Sequence, residues 1–363
     1  MLHAVIMAGG SGKRFWPQSR QRRPKHVLAI ASARPMIVET VLRLRGLVPI
    51  ERTCIVTAAA QVAAIRRCLR GGPQPRLIAE PCGRDTAACI GLAALHVLKR
   101  DPQGIMLAMP ADQVIAPAER FRAVMSAGVE VVRDSDALVT FGVKADRPAT
   151  GYGYVHRGRR VTTVRGIPVY DVRRFHEKPP HATASRYVAS GQWYWNSGIF
   201  CWRASTILEC LRRFKPGLYA ALQRIGGAIG TPREKAVLRE AYGGLKRSRK
   251  GSIDYVVMER AEGIRVVEAD FAWSDVGSWA SVARLRRREA DRLGNLLVGR
   301  CEAFDAADSV VIGDDRHLVA LVGLQGVIVV HTPDATLVCS KGHAERVKEL
   351  VERLEKKGLE RYL

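Results

Sequence analysis

The chain has 363 residues, of which 47% are hydrophobic and 26% charged, an ordinary globular composition that indicates a chain able to fold alone. Its formal net charge of +23 at pH 7 raises nucleic acids, membrane surfaces and polyanionic substrates as candidate partners. The basic clusters at residues 20–25, 246–250 and 284–288 are dispersed and no recognisable nucleic-acid module accompanies them, so we expect no nucleic-acid partner and anionic small substrates instead.

The cysteine and hydropathy patterns concern the cellular compartment. The eight cysteines form no Cys-x-x-Cys pair and have no histidine at zinc spacing, and most lie in apolar runs typical of buried free thiols. We therefore expect a reducing cytoplasm. The N-terminal apolar run is too short for a signal peptide and no segment approaches ~20 apolar residues, so we expect no membrane partner.

The first element is a short apolar strand over residues 2–8, followed by Gly9-Gly10-Ser11-Gly12 and then by Lys13, Arg14 and Lys25. The dinucleotide fingerprint would need a third glycine at Phe15, and the P-loop would need Ser or Thr at Arg14, so neither motif fits. A strand, a glycine loop and basic residues together predict a phosphate-binding loop. The alternative is a glycine turn with a purely structural role.

Strand and helix patterns then alternate, which predicts a parallel sheet with right-handed crossovers. The predicted helices cover residues 35–47, 59–69 and 86–100, and the predicted strands cover residues 53–57, 76–79 and 105–109. Ligands of such sheets bind beyond the carboxyl ends of the strands. Glu80 and Asp112 fall at two of these ends.

Two polar segments follow those strand ends. Residues 80–87 (Glu-Pro-Cys-Gly-Arg-Asp-Thr-Ala) lead into a helix whose first N–H groups are free donors. Residues 110–113 (Pro-Ala-Asp-Gln) place one carboxylate on a loop at the same edge of the sheet. An ordinary helix cap and a turn-forming aspartate are the alternative interpretations.

The middle of the chain is β-rich and carries further polar residues among aromatic ones. It contains Gly151-Tyr152-Gly153-Tyr154 and Glu177-Lys178-Pro179, where Lys178 could also be a plain surface strand end. In Trp195-Asn196-Ser197-Gly198 the small residues interrupt an aromatic strand, which favours close approach of a ligand to the backbone. Helical patterns follow over residues 204–242.

The last third begins with a strand over residues 263–269 and a tight turn, residues 273–279, in which Asp275 lies between two tryptophans. From about residue 294 the pattern changes to short β-type runs, and the chain ends in an amphipathic helix over residues 344–357. We therefore predict a large domain over residues 1–290 and a small β domain over residues 291–363. Because Asp112 and Asp275 both follow strands, we expect them to converge.

The ordered motifs resemble those of the mannose-1-phosphate guanylyltransferases (GDP-mannose pyrophosphorylases) over essentially the whole chain. They occupy residues 9–17, 24–25, 80–87, 110–112, 151–154, 177–179, 195–198 and 273–279. The resemblance implies an α/β fold: a Rossmann-like sugar nucleotidyltransferase domain with a mixed, mainly parallel sheet, then a small C-terminal β-helix-like domain used for dimerisation. It implies a homodimer. With no room for the isomerase domain of longer members, we interpret the chain as monofunctional.

The resemblance also implies a reaction, in which GTP and α-D-mannose 1-phosphate give GDP-mannose and pyrophosphate with a divalent cation, expected to be Mg²⁺. The attacking sugar phosphate is already an anion, so the reaction needs positioning and charge neutralisation and no general base.

Each implied role falls on particular residues. The expected catalytic residues are Arg14, Lys25, Asp112, Lys178 and Asp275, with Asp112 and Asp275 as metal ligands. The expected nucleotide-binding residues are Ala8, Gly9, Gly10, Gly12, Lys13, Arg14, Lys25, Glu80, Gly83, Arg84, Asp85, Thr86 and Asp112. The expected sugar-phosphate residues are Gly151, Tyr152, Glu177, Lys178, Asn196 and Ser197.

The chain departs from the family pattern at three places. The family usually has Asn at Asp85, His at Gln113, and Gln-Phe or Gln-Leu at residues 26–27. Two alternatives stay open: a sister enzyme for another sugar 1-phosphate or nucleotide, and an inactive regulatory protein on the same fold. The presence of the lysines and aspartates expected in catalysis argues against the second.

Overall fold

The computed structural model describes residues 1–246, 248 and 250–363, so Arg247 and Arg249 of the basic cluster 246–250 lie outside the described residues. The strands are β1 (Leu2–Ala8), β2 (Thr53–Ala58), β3 (Arg76–Glu80), β4 (Ile105–Pro110), β5 (Val114–Ala116), β6 (Leu138–Lys144), β7 (Gly153–Val164), β8 (Ile167–Glu177), β9 (Trp193–Arg203), β10 (Ile264–Ala269), β11 (Ala272–Ser274), β12 (Leu296–Val298), β13 (Cys301–Phe304), β14 (Val310–Ile312), β15 (Val319–Val322), β16 (Val327–Thr332) and β17 (Ala335–Ser340). The α-helices are α1 (Met36–Arg43), α2 (Val62–Cys68), α3 (Asp85–Arg100), α4 (Ala118–Arg133), α5 (His181–Ser190), α6 (Ala204–Phe214), α7 (Pro216–Ala228), α8 (Glu234–Gly244), α9 (Trp279–Leu285) and α10 (Val347–Lys356).

Within the described part of the chain, nine strands form one sheet, in the order β3-β2-β1-β4-β9-β6-β10-β8-β7. Strands β1 to β4 pair in parallel, as β6 and β10 do, whereas β8 and β9 run against their neighbours. The other seven strands therefore share one direction. The predicted α/β class with a mixed, mainly parallel sheet is confirmed, and the carboxyl ends of β1, β3 and β4 lie at one edge.

Each face of the sheet carries its own hydrophobic core. In β1, Val5 packs into the core under α3, α6 and α7, while its neighbours Ala4 and Ile6 pack into the core under α1, α2 and α4. Successive side chains of a strand point to opposite faces, so a strand covered by helices on both faces is apolar at every position. This double burial explains why β1 and β4 are continuous apolar runs.

Strand β9 differs in one respect from the sequence interpretation. Residues 196–198 do not end the strand, which is continuous from Trp193 to Arg203. The pairing register with β6 shifts between Thr140 and Gly142, and Gly198 has φ +72°. The interruption is a bulge in which residues 197–199 of β9 stand opposite Phe141 alone, so β9 carries two extra residues there and its side chains are redirected.

The C-terminal region builds a small stack of strands. Strands β12, β14 and β16 pair in parallel with β17 antiparallel at the end, and β13 pairs in parallel with β15 on a second face. Parallel pairing of successive short strands is the arrangement of a β-helix, as predicted. Strand β13 was not predicted, and α10 begins at Val347 because a 3₁₀ segment, Lys341–Arg346, precedes it.

One hydrophobic core joins the two regions. Phe15 and Trp16, which follow the glycine loop, pack with Trp279, Val347 and Val351. The Trp16 indole N–H also donates to the carbonyl of Tyr362, at 2.7 Å. The glycine loop is thus supported from behind by the C-terminal domain.

The cysteines and helices add two observations. All eight cysteines are free thiols. Among the described residues, no helix has the length and apolar character needed to cross a bilayer.

Candidate active site

The glycine loop begins where β1 ends and is locked against the segment that carries Lys25. Gly12 has φ +69°, and a Cβ placed on it would clash with the Lys25 Cβ, so only glycine fits. The Ser19 hydroxyl donates to the Gly12 carbonyl at 2.7 Å. Loop and lysine therefore form one fixed unit.

Two cavities open at this edge of the sheet and share Pro110 and Asp112. The first, called here the basic cavity, has a volume of about 500 Å³ and is lined by Ser11, Gly12, Lys13, Arg14, Phe15, Lys25, Pro110, Asp112, Gln113, Asp275, Gly277 and Lys348. The second, the Glu80 cavity, has a volume of about 490 Å³ and is lined by Met7, Gly9, Gly10, Glu80, Gly83, Arg84, Asp85, Thr86, Cys89, Pro110, Asp112 and Ser248.

The residues expected to bind nucleotide divide between these cavities. Gly9, Gly10 and residues 83–86 line the Glu80 cavity, whereas Gly12, Lys13, Arg14 and Lys25 line the basic one. Ala8 lines neither cavity, because its side chain points into the core.

Lys25 connects the two expected metal ligands. Its ammonium is buried and donates to the Asp112 carboxylate at 2.8 Å, to the Asp112 carbonyl at 3.0 Å and to the Asp275 carbonyl at 2.6 Å. Burial alone would raise the pKa of Asp112, but the Lys25 charge outweighs it and lowers that pKa below its usual value. Asp112 is therefore a carboxylate, 38% exposed, facing the cavity.

Asp275 is held from the other side by Tyr152. The phenol donates to the Asp275 Oδ1 at 2.6 Å, and burial followed by the Asp275 charge raises the pKa of Tyr152, which keeps it a donor. The next residue, Val276, is fully buried and has φ +47°. Positive φ at a β-branched residue is strained and persists only where surrounding packing imposes it.

Lys13 and Arg14 make ion pairs with the C-terminal domain. Lys13 pairs with Glu355 at 3.1 Å and Arg14 with Glu345 at 2.7 Å. All four side chains are between one-third and two-thirds exposed. Exposed pairs contribute only about 0–1 kcal/mol, so a polyanion in the basic cavity can compete for both cations.

Glu80 is a buried carboxyl group at the floor of the second cavity. It is 3% exposed and accepts a hydrogen bond from the Tyr242 hydroxyl at 3.0 Å. Burial raises the pKa of Glu80 to about 7, although the Tyr242 bond acts in the opposite direction. Glu80 therefore titrates near neutral pH.

The start of α3 borders the same cavity. Asp85 has φ +70°, and its Oδ1 accepts from the Thr86 N–H at 2.8 Å. Aspartate and asparagine tolerate this left-handed conformation better than other non-glycine residues, which explains how Asp85 can replace the usual asparagine. The Arg84 side chain donates to the Tyr242 carbonyl at 3.0 Å.

A second polar cluster lies where β8 ends, next to residues 196–197 of β9. The Lys178 ammonium contacts the Glu177 carboxylate at 2.7 Å, and Lys178 itself has φ +49°. Burial alone would lower the pKa of Lys178, but Glu177 outweighs it and raises that pKa. Gly151 is exposed, and the hydroxyl of the next residue, Tyr152, donates to Asp275.

Asn196 and Ser197 belong to this cluster too. The Asn196 amide donates to the Asp254 carboxylate at 2.9 Å and its oxygen accepts from Thr140 at 2.9 Å. The fully buried Ser197 offers its carbonyl to the Gln113 amide at 2.5 Å, and Gln113 lines the basic cavity. The cluster and the basic cavity are therefore adjacent.

Four residues of this region had no assigned site role in the sequence interpretation. Lys348 lines the basic cavity from α10. Gln113 is buried, and its Oε1 has no hydrogen-bond partner among the described residues, as expected of an atom that bonds a ligand or water. Asp254 has its pKa raised by burial and then by Glu177, and Glu259 accepts from the Glu177 N–H at 2.9 Å.

Comparisons with known proteins extend these observations. Residues 3–292 match the family described as Nucleotidyl transferase, and residues 299–354 match the MannoseP isomerase/GMP-like beta-helix domain. The chain is 36% identical to a mannose-1-phosphate guanylyltransferase of Escherichia coli K12, over 98% of this chain and 74% of the relative. The corresponding protein of Klebsiella pneumoniae is 35% identical, over 100% of this chain and 76% of the relative.

A solved structure has the same fold over almost the whole chain. The crystal structure described as mannose-1-phosphate geranyltransferase from Thermus thermophilus superposes with a TM-score of 0.85 at 35% identity. It covers 98% of this chain and 99% of its own.

Proposed function

The chain belongs to the mannose-1-phosphate guanylyltransferase family of nucleotidyl transferases, and from this premise we propose that it transfers GMP from GTP to α-D-mannose 1-phosphate. The products are GDP-mannose and pyrophosphate. The observation that carries the proposal is the junction of the basic cavity, the Glu80 cavity and the Glu177–Lys178 cluster around Asp112 and Gln113. Adjacent sites for a triphosphate, a base and a sugar phosphate are what the proposed reaction requires.

The basic cavity positions the triphosphate. Lys13, Arg14 and Lys25 neutralise its charge as the sugar phosphate oxygen attacks the α-phosphorus and pyrophosphate leaves. Positioned cations of this kind supply most of the catalysis in such transfers. Lys25 is held by three acceptors, so its position is fixed before the nucleotide arrives.

The donor set suits a magnesium ion. Asp112 and Asp275 offer only oxygen ligands at the wall of one cavity, and Mg²⁺ prefers one or two carboxylates together with substrate phosphates. When bound, the ion would neutralise phosphate charge. Tyr152 orients Asp275 and Lys25 orients Asp112 for that purpose.

The base and the sugar occupy the flanking sites. As a carboxylate, Glu80 can accept hydrogen bonds from the N–H groups of guanine. Because Asp85 stands where the family usually has asparagine, we expect the enzyme to discriminate less strictly between purines. Lys178 holds the sugar phosphate, and Glu177, Asn196 and Ser197 contact the hydroxyl groups. Gly151 and Tyr152 close this site on the solvent side.

We also propose a homodimer formed by the C-terminal domain. Phe304 and Val322 are directly paired across β13 and β15 and are 65% and 66% exposed, with Leu318 and Leu324 exposed nearby in sequence. Apolar side chains exposed side by side mark protein contacts. The free cysteines support a cytoplasmic location.

The test is pyrophosphate release from a panel of nucleotides and sugar 1-phosphates. GTP with mannose 1-phosphate should give the highest kcat/KM, with ATP as the next purine. A higher kcat/KM for dTTP with glucose 1-phosphate would favour the sister-enzyme alternative, and no release with any pair would favour the inactive regulatory protein.

A further inference from the structure

The C-terminal helix reaches into the site of the proposed reaction. Lys348, at the start of α10, lines the basic cavity together with Lys25, Asp112 and Asp275. It comes from the domain whose expected role is dimerisation. Its place in the cavity therefore needs a separate explanation.

A hydrophobic contact holds α10 in this position, and two ion pairs flank it along the chain. Glu345 binds Arg14 on one side of Lys348, and Glu355 binds Lys13 on the other. Between them, Val351 packs in the core that contains Phe15 and Trp16. The Val351 contact does not depend on either ion pair, so Lys348 stays over the glycine loop when a polyanion competes for Lys13 and Arg14.

Among the described residues that line the basic cavity, Lys348 is also the cation without a carboxylate partner at hydrogen-bond distance. Lys13, Arg14 and Lys25 have carboxylate partners at 3.1, 2.7 and 2.8 Å, respectively. The carboxylate beside Lys348 is Glu352, at 3.8 Å, beyond hydrogen-bond distance. A triphosphate can thus bind Lys348 without breaking a short ion pair.

We propose that Lys348 is a further phosphate-binding residue, which contacts the β- and γ-phosphates that leave as pyrophosphate. The inference rests on the proposed function for the identity of the nucleotide and on the basic cavity for the phosphates. It makes the C-terminal domain part of the catalytic site in addition to its expected part in assembly.

The test compares Lys348→Met with Lys356→Met, an exposed lysine two turns further along the same helix, about 12 Å away at 1.5 Å per residue. Inorganic pyrophosphate with Mg²⁺ is titrated into each full-length protein by calorimetry. Loss of a charge-assisted contact should weaken pyrophosphate binding roughly tenfold or more in Lys348→Met. Lys356→Met should bind as the parent protein does.

Kinetics separate this inference from the proposed function. Lys348→Met should raise the KM of the nucleotide and leave the KM of the sugar phosphate and the melting temperature unchanged, and Lys348→Arg should restore most of the affinity. Equal pyrophosphate affinity in Lys348→Met and the parent overturns the inference, as does a parent that binds no pyrophosphate. A parent that prefers another nucleotide overturns the proposed function and leaves the Lys348 result standing.

Discussion

Glu80 gives the sharpest prediction about this protein, because it is a buried acid whose pKa lies near neutrality. Replacing it by Gln keeps the size of the side chain and the oxygen that accepts from Tyr242, but removes titration. The Glu80→Gln variant should therefore lose one component of the pH dependence of the free energy of unfolding. Binding of substrate is not needed to observe this effect.

The sign and the size follow from the two pKa values. The pKa of Glu80 is raised from 4.5 to about 7 on folding, so the folded protein binds more protons than the unfolded chain between these values. The contribution of Glu80 to the free energy of unfolding is therefore fully present below pH 4.5 and is lost as the pH rises through 7. A shift of this size corresponds to about 3 kcal/mol, of which about 2.5 kcal/mol is lost between pH 5 and 8.

The assay is urea unfolding followed by tryptophan fluorescence at a series of pH values from about 5 to 8. Between pH 5 and 8 the free energy of unfolding of Glu80→Gln should rise by about 2–3 kcal/mol relative to that of the parent protein. Glu262→Gln, at an exposed position, serves as the matched control and should run parallel to the parent. Parallel curves for Glu80→Gln would show that Glu80 ionises normally in the folded protein and would refute the reasoning.

Further predictions concern the charged centre of the site. Lys25→Ala should mainly raise the KM of the nucleotide and Lys178→Ala that of the sugar phosphate, each roughly ten- to a hundredfold, and equal defects in both substrates would contradict this division. Asp275→Asn should unfold within about 1 kcal/mol of the parent but turn over slowly unless excess Mg²⁺ is added, and full activity at low Mg²⁺ would exclude it from the site. Asp112→Asn should cost about 1.5–3 kcal/mol in urea unfolding because it weakens the partner of a buried lysine, and an unchanged midpoint would argue against that ion pair. Tyr152→Phe should raise the Mg²⁺ concentration needed for half-maximal rate several-fold with an unchanged melting temperature, and an identical Mg²⁺ titration would argue against orientation of Asp275.

Local sequence patterns were sufficient for the elements that are buried on both faces. Strands β1, β2 and β4 were predictable because each is a short apolar run between glycine, proline or polar residues. Asp112 and Asp275 do lie close together, since Lys25 contacts both, but Asp275 follows β11, which pairs with β5 in a separate two-stranded sheet. Their catalytic role stays a prediction.

Features that depend on distant parts of the chain could not be predicted in this way. Lys348 is an ordinary lysine in an amphipathic helix until the two domains pack together. Asp254 is recognised as part of the polar cluster from its contact with Asn196, 58 positions earlier in the chain. The bulge at Gly198 was interpreted as a strand break because a glycine alone does not distinguish the two.

The core shared by Phe15, Trp16, Trp279 and Val347 limits how this protein can be recombined. A chimaera that exchanges the C-terminal domain after residue 292 would replace many of the side chains that pack behind the glycine loop. An exchange confined to the strand stack, from β12 to β15, would keep α10 with its own loop. Variant libraries for altered nucleotide use should therefore take the glycine loop and α10 from the same parent protein.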